Sequence, residues 1–286
     1  MLTKEHISAV VSNALHEDAP NGDITSEYLI PETATATAQL VAREPGIFSG
    51  AEVFKAAFEL CDANIAVEIL VADGQAFAAG QTLATVSGSA RAVLRGERIG
   101  LNFTQRMSGI ATQTAKYVAA VAGTDAKILD TRKTTPGLRE FERQAVRDGG
   151  GTNHRFSLSD QVLAKDNHLA ILTAGGKDLT AELKRVRAEL PAAIKFEVEV
   201  DRIDQILPVV EGGVDIIMLD NFSLDELRAG VALVAGRAVV EASGGVNLET
   251  VAAIAATGVD VISVGALTHS VRSLDLGLDI NLDVAE

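Results

Sequence analysis

AKILDTRKTTPGLREFERQAVRDGGGTNHRFSLSDQVLAKDNH, residues 126–168, contains two short apolar runs that each end in charge. Ala126-Lys127-Ile128-Leu129 leads into Asp130, Arg132 and Lys133. Gln161-Val162-Leu163-Ala164 leads into Lys165, Asp166 and His168. Such runs read as buried parallel strands. In a barrel, a cation at the carboxyl end of a strand points into a site rather than into solvent. His154-Arg155 adds a third cationic set between them. Lys and Arg number 7 against 6 Asp and Glu over residues 130–168, inside a chain of net charge −14. Several cations converging in this way make a pocket for a small, multiply charged anion.

Toward the C-terminus the same rhythm repeats. Strands are expected at 127–130, 162–165, 194–200, 214–219, 238–241 and 259–264. Helices are expected at 179–190, 203–211, 224–234 and 248–257. Strands separated by helices imply βαβ units and parallel pairing. That many units in about 150 residues predict a closed or nearly closed (β/α) barrel. A doubly wound open sheet is the alternative. It would carry a Gly-rich turn after its first strand, and Asp130-Thr131-Arg132-Lys133 is not one.

Toward the N-terminus the pattern is mixed α/β. A helix over 5–17 is followed by turn chemistry at 18–23, and Gly22-Asp23-Ile24-Thr25 is expected to enter an extended segment. Residues 35–42 alternate as a half-buried strand. A helix is expected at 51–61 and a strand at 67–71. The spaced glycines of 74–88 resemble half of a hammerhead or lipoyl-like β-module, but no lysine sits at a hairpin tip, so a structural turn is expected. Residues 91–121 are helical by spacing, with a break expected at Ser108-Gly109. The expected division is an N-terminal domain over 1–108, a barrel over 109–270, and a tail over 271–286 that returns to the first domain.

Composition removes several functions. Aromatics are 4% with no Trp, so stacking platforms for nucleic acid are not expected. A balance of 25 basic to 39 acidic residues disfavours a polyanion-binding surface. Any anionic ligand must be captured locally. The single Cys61 cannot form an internal disulfide, which fits a reducing cytoplasm, and its apolar setting VFKAAFELC predicts a buried, inert thiol. The first residues, MLTKEHISAVVSNALHED, form an amphipathic helix pattern without the apolar region of a signal peptide. No run approaches the roughly 18 apolar residues of a membrane span. A cytoplasmic location without a membrane partner is therefore expected.

In a barrel the charged strand ends share one face. They are Asp130, Arg132 and Lys133; Lys165 and Asp166; Glu197 and Glu199; Asp220 and Asn221; and Glu241. Glu197 and Glu199 alternate in FEVEV and so share one side of their strand. Carboxylates inside a barrel are costly unless paired with cations or a metal. Pairing with the lysines explains one of them, which leaves a ligand or metal role for the other. Ser243-Gly244-Gly245 and Gly265-Ala266 end the last two strands before helix patterns. Tight turns alone would explain the glycines, but two such loops in order match the phosphate grip of barrels. Glu97-Arg98 reads as a solvated helix face. Lys165 alone would suit a Schiff-base aldolase, which would not need Arg132, Lys133, His154 and Arg155 together. The residues by themselves reach a site for a phosphate plus a polycarboxylate.

Beyond that, GDIT (22–25), ER through LN (97–102), SGIAT (108–112), DTRKTTPGLR (130–139), GGGTNHR (149–155), KDNH (165–168), EVEVD (197–201), MLDNF (218–222), SGG (243–245) and VGALTHS (264–270) occur in order. With these motifs the sequence resembles the quinolinate phosphoribosyltransferase family over almost its whole length. The resemblance implies an N-terminal α/β hammerhead-like domain joined to an open, irregular (β/α) barrel. It implies a homodimer, with hexamers as a further assembly, in which Arg98 reaches the neighbour's site. It assigns Arg98, Thr131, Arg132, His154, Arg155 and Lys165 to quinolinate. Lys133, Glu199, Asp220, Ser243, Gly244, Gly245, Val264, Gly265 and Ala266 fall to phosphoribosyl pyrophosphate. Lys133, Lys165, Glu199 and Asp220 are the expected catalytic set, Glu199 and Asp220 the expected Mg²⁺ ligands, and no organic cofactor is expected. A same-fold paralogue of molybdenum-transport operons is the near alternative. The full set of Arg98, Arg132, Arg155 and Lys165 argues against it.

Overall fold

The computed structural model describes residues 2–281, which fall into two compact units. The first comprises the chain up to residue 115, residues 135–150 and the chain from 270 onward; the second comprises 116–134 and 151–269. This division cuts the chain differently from 1–108, 109–270 and 271–286. Residues 282–286 of the expected tail lie outside the described residues. Among the described residues, no helix is long and apolar enough to cross a membrane.

The first unit is built on a four-stranded antiparallel sheet ordered Leu276–Asn281, Thr35–Ala42, Thr82–Ser89, Ala66–Ile69. Thr35–Ala42 alternates between partly exposed and buried positions, as a strand with one covered face must. Helix Lys4–Asp18 buries Ile7, Val11 and Leu15 at four-residue spacing, and Thr3 caps it by accepting the His6 amide. Helix Ala51–Glu59 buries Phe54 and Phe58, whose rings meet edge-to-face at 4.9 Å. Cys61 is half-buried rather than buried; its Sγ donates to the Ala57 carbonyl, and burial pushes the thiol pKa up, as expected of an inert thiol.

Two local expectations are corrected here. Asp23 does not open an extended segment. Its side chain accepts the Ser26 amide and caps helix Ile24–Leu29. Nor do Ser108 and Gly109 break a helix, because Ala90–Ala120 is one helix of 31 residues. Ser108 is fully buried and its hydroxyl accepts the Ser49 amide at 3.1 Å. A Cβ on Gly109 would lie 2.3 Å from the Arg272 carbonyl oxygen, so the glycine serves close packing of a second chain segment.

The second unit holds six parallel strands ordered Lys127–Leu129, Val261–Ser263, Val239–Ser243, Ile216–Asp220, Phe196–Val200, Val162–Ala164. From Val162–Ala164 onward each crossover steps one strand in the same direction, and the last strand pairs with the first. A doubly wound sheet reverses direction at a switch point, so this order is that of a barrel. Among the described residues, Lys127–Leu129 and Val162–Ala164 are not hydrogen-bonded to each other, and a bridge from Leu129 to Thr152 extends that edge. The barrel is open at this seam. Its outer layer includes Leu179–Glu189, Ile206–Glu211 and Leu224–Val234. The helix expected at 248–257 shortens to Val251–Ala255.

Candidate active site

One cavity of about 400 Å³ opens within the second unit at the carboxyl ends of its strands. Its walls include Thr131, Arg132, Lys133, His154, Arg155, Lys165, Glu199, Asp220 and Ser243, all anticipated from the sequence. Leu163, Met218, Glu241 and Ser263 complete it. The cations sit where they do because two strands stop there. After Leu129, the carboxylate of Asp130 accepts the His154 amide and the Asn153 side chain, both at 2.6 Å. The buried Asp130 thereby draws residues 153–155 against residues 131–133. Thr268 donates its hydroxyl to the Lys133 carbonyl at 2.8 Å and pins the same loop.

Electrostatics mark this pocket as built for an anion. Burial, and then the neighbouring Arg132 guanidinium, holds Arg155 below the ordinary arginine range. Arg132 Nε is buried without a hydrogen-bond partner among the described residues. Like charges crowded beside a half-buried donor are unfavourable unless an anion joins them. Lys165 is exposed and donates to Glu199 on the neighbouring strand.

Below these cations lies a buried cluster that the sequence reading only partly anticipated. His154 Nε2 stands 3.4 Å from carboxylate oxygens of both Glu197 and Glu241. The two glutamates are essentially inaccessible to solvent. Gln161 donates to Glu197, and Ser263 donates to Glu241. Burial disfavours the imidazolium, but hydrogen bonds and charge from the two carboxylates outweigh it and push the His154 pKa up to about 10. Burial also raises the Glu197 pKa, against the lowering effect of His154. The Arg155 amide donates to His154 Nδ1 at 2.8 Å, which requires a lone pair there. A neutral ring with its proton on Nε2 satisfies that bond, so the Arg155 amide opposes the second protonation that the two carboxylates favour. Alternation alone put Glu197 and Glu199 on one side of the strand; Glu197 is buried under the site, and Glu199 faces the cavity. Glu241 was legible only as a strand end. Its signal was a carboxylate in the apolar run VVEA, which buries poorly without partners.

The expected phosphate loops flank the cavity, although Gly244, Gly245, Val264, Gly265 and Ala266 do not line it. Gly244 adopts φ +92°, and a Cβ there would lie 2.2 Å from Asn221 Oδ1. Gly245 has φ +60° and open space around it. A Cβ on Gly265 would approach the Lys133 side chain at 3.2 Å. Val264 is buried, and its amide donates to the Leu129 carbonyl. The helices after these loops are only Val251–Ala255 and Ala266–His269, so backbone amides rather than a long helix dipole face this end. Arg98 belongs to the first unit, where it lies exposed on helix Ala90–Ala120.

Asp220 accepts from the Asn221 side chain at 2.7 Å, and Glu199 and Asp220 end adjacent strands. With Asp166 and Asp201 they border a second cavity of about 250 Å³ rich in oxygen donors. Carboxylate oxygens are the ligand type that hard divalent cations take.

Comparison with known proteins is consistent with this architecture throughout. Residues 23–108 match the family described as quinolinate phosphoribosyl transferase, N-terminal domain, and residues 110–279 match its C-terminal domain. A nicotinate-nucleotide pyrophosphorylase [carboxylating] of Mycobacterium leprae is 44% identical over 276 residues, covering 94% of this chain and 95% of that protein. A probable enzyme of the same name from Bacillus subtilis is 43% identical over 266 residues, covering 93% and 90%. The crystal structure of NadC from Streptococcus pyogenes superposes with a TM-score of 0.93 at 38% identity, covering 99% of both chains. A nicotinate-nucleotide pyrophosphorylase structure from Francisella tularensis gives 0.92 at 36% identity, covering 98% of both. The chain belongs to the quinolinate phosphoribosyl transferase family.

Proposed function

We propose that the protein transfers the phosphoribosyl group of phosphoribosyl pyrophosphate to quinolinate and releases pyrophosphate and CO₂, giving nicotinate mononucleotide for NAD biosynthesis. The observation that carries this reading is the convergence of Arg132, Lys133, Arg155 and Lys165 on one cavity whose wall also bears Glu199 and Asp220. The planar guanidinium forks of Arg132 and Arg155 suit the two carboxylates of quinolinate, with Thr131 and Lys165 beside them. Lys133, Ser243 and the backbone amides of 244–245 and 265–266 suit the phosphates. Mg²⁺, held by Glu199 and Asp220, would supply charge neutralisation to the pyrophosphate. Positive charge that develops at ribose C1 is stabilised by the same two carboxylates. The pyridine nitrogen then attacks C1. The cationic ring stabilises the carbanion left at C2 as CO₂ departs, and a proton from solvent then adds at C2 to complete the product, so the chain's own share is positioning and charge complementarity. No organic cofactor is required by these steps.

Arg98 fits this scheme as a quinolinate ligand lent by a second subunit of a homodimer. Its exposure on a helix outside the cavity-bearing unit is compatible with that role. A cytoplasmic location suits an enzyme with one thiol and small charged substrates. Purified protein with quinolinate, phosphoribosyl pyrophosphate and Mg²⁺ should form nicotinate mononucleotide, followed by ultraviolet absorbance. Use of nicotinic acid in place of quinolinate, or no reaction, overturns the reading. Arg98→Ala and Lys165→Ala proteins, each inactive alone, should regain activity in mixed dimers. No recovery in verified heterodimers removes the shared site.

A further inference from the structure

We propose that His154 does not bind substrate but is a positioning residue, clamped by the buried Glu197 and Glu241 so that its ring holds the backbone of Arg155. The proposal rests on the reading of Arg155 as a carboxylate ligand given above. It deepens that reading by assigning the floor of the cavity a mechanical role and by removing His154 from the set of substrate ligands.

Three observations carry it. Both ring nitrogens of His154 already face protein groups: Nε2 the two glutamates, Nδ1 the Arg155 amide. The clamp is itself anchored on both sides, because Gln161 donates to Glu197 and Ser263 donates to Glu241. The Arg155 guanidinium is then aimed from a fixed backbone, with Nη1 bonded to the Gln161 carbonyl at 3.1 Å. Gln161 therefore touches both the clamp and the arginine. A side chain that reaches two buried carboxylates and the amide of the next residue fixes backbone position far better than a solvated loop does.

Charge gives the same answer. A substrate dicarboxylate approaching His154 directly would meet two glutamates immediately behind it. Those carboxylates repel the substrate wherever they act on it directly. They help binding by way of what they hold in place or in charge, the Arg155 backbone or the His154 ring. This difference makes opposite predictions for one substitution.

Asparagine places its Oδ1 near the position of a histidine Nδ1, whereas glutamine places its amide nitrogen near Nε2. If His154 positions Arg155, His154→Asn should keep the acceptor for the Arg155 amide. Its KM for quinolinate should stay within about threefold of wild type, while His154→Gln and His154→Ala raise that KM about tenfold or more at nearly unchanged kcat. KM for phosphoribosyl pyrophosphate should not move. Glu241→Gln should also raise the quinolinate KM, and its effect should not add to that of His154→Ala in the double variant. If His154→Gln rescues where His154→Asn does not, His154 is a direct ligand; if Glu241→Gln lowers the quinolinate KM, Glu241 acts on the substrate by repulsion; either result overturns the proposal. Elemental analysis of protein purified without chelator should find no stoichiometric transition metal. A metal whose removal changes the quinolinate KM would make the triad a metal site instead. Urea midpoints for every variant separate loss of position from loss of fold, and the asparagine–glutamine comparison still decides if the alanine variant does not fold. Wild-type protein inert toward quinolinate would sink the assigned reaction. Wild-type turnover with the wrong rescue pattern would sink this proposal alone.

Discussion

Lys165 and Glu199 are bonded to each other across the ends of adjacent parallel strands. Ala164 pairs with Val198, so the next residue on each strand falls at the barrel mouth facing its neighbour. In the free protein the strand-end lysine is therefore already occupied. The pair is half exposed on the lysine side, and such pairs contribute about 1 kcal/mol or less. An arriving dicarboxylate can separate them at little cost. Glu199→Gln should bind quinolinate alone up to about fivefold more tightly, because Lys165 is released from a competing anion. The same variant should lose turnover by about 10²-fold or more, because Glu199 faces the charge that develops at ribose C1. Calorimetric binding and steady-state rates read the two effects separately. Weaker quinolinate binding would show that Glu199 aids that substrate rather than competing for its lysine.

How far the sequence anticipated this site follows from where its determinants lie. The barrel was legible because short apolar strands alternate with helical periods, and each strand ends in charge. Arg132, Lys133, Arg155, Lys165, Glu199 and Asp220 then had to share one face. The buried partners of His154 were not legible. Its partners Glu197 and Glu241 come from strands 43 and 87 residues away, so nothing local reveals that its nitrogens are engaged. The continuity of Ala90–Ala120 was obscured for a related reason. Glycine inside a helix normally weakens it, but at Gly109 the close approach of residue 272 compensates. Propensity reported the local cost and could not report the distant contact.

A pair with a buried carboxylate supports the segment that precedes helix Arg139–Asp148. Arg106 donates to Glu142, which is 1% exposed, and also to the Thr135 hydroxyl at 2.7 Å. Glu142 in turn accepts the Thr135 amide at 3.1 Å. Glu142→Ala should destabilise the protein by about 1–3 kcal/mol, because the bonds its buried carboxylate accepts from Arg106 and the Thr135 amide are lost. The Arg106→Ala, Glu142→Ala double variant should lose less than the sum of the two single changes, read from urea midpoints. Strict additivity would show that the two residues act independently.

Gly244 and Gly245 offer a controlled pair. Both have positive φ, but only Gly244 is crowded, by Asn221. Asn221 itself holds φ 59°, beside Asp220. Gly244→Ala should therefore displace the turn and raise the KM for phosphoribosyl pyrophosphate about tenfold or more, since misplacement near a site is costly. Gly245→Ala has only the backbone strain of about 1–3 kcal/mol to absorb and should affect that KM less. Equal effects would place the phosphate loop elsewhere.

Asp148 gives a pH-dependent test in the first unit. Its carboxylate accepts the Ser49 hydroxyl at 2.6 Å and the Gln144 amide at 2.7 Å. Burial raises its pKa above 3.8, although both hydrogen bonds oppose the shift. A carboxyl whose folded pKa is raised lends stability that is fully present below its unfolded pKa. That stability is lost as pH rises through the folded value. Asp148→Asn cannot ionise, and the Ser49 hydroxyl can turn to accept from the new amide. The difference in unfolding free energy, wild type minus variant, should therefore fall as pH is raised from below 3.8 toward neutrality. Urea denaturation across that range measures it. A difference that grows with pH would mean that the ionised carboxylate is favoured by its two donors and that burial is the lesser influence at this position.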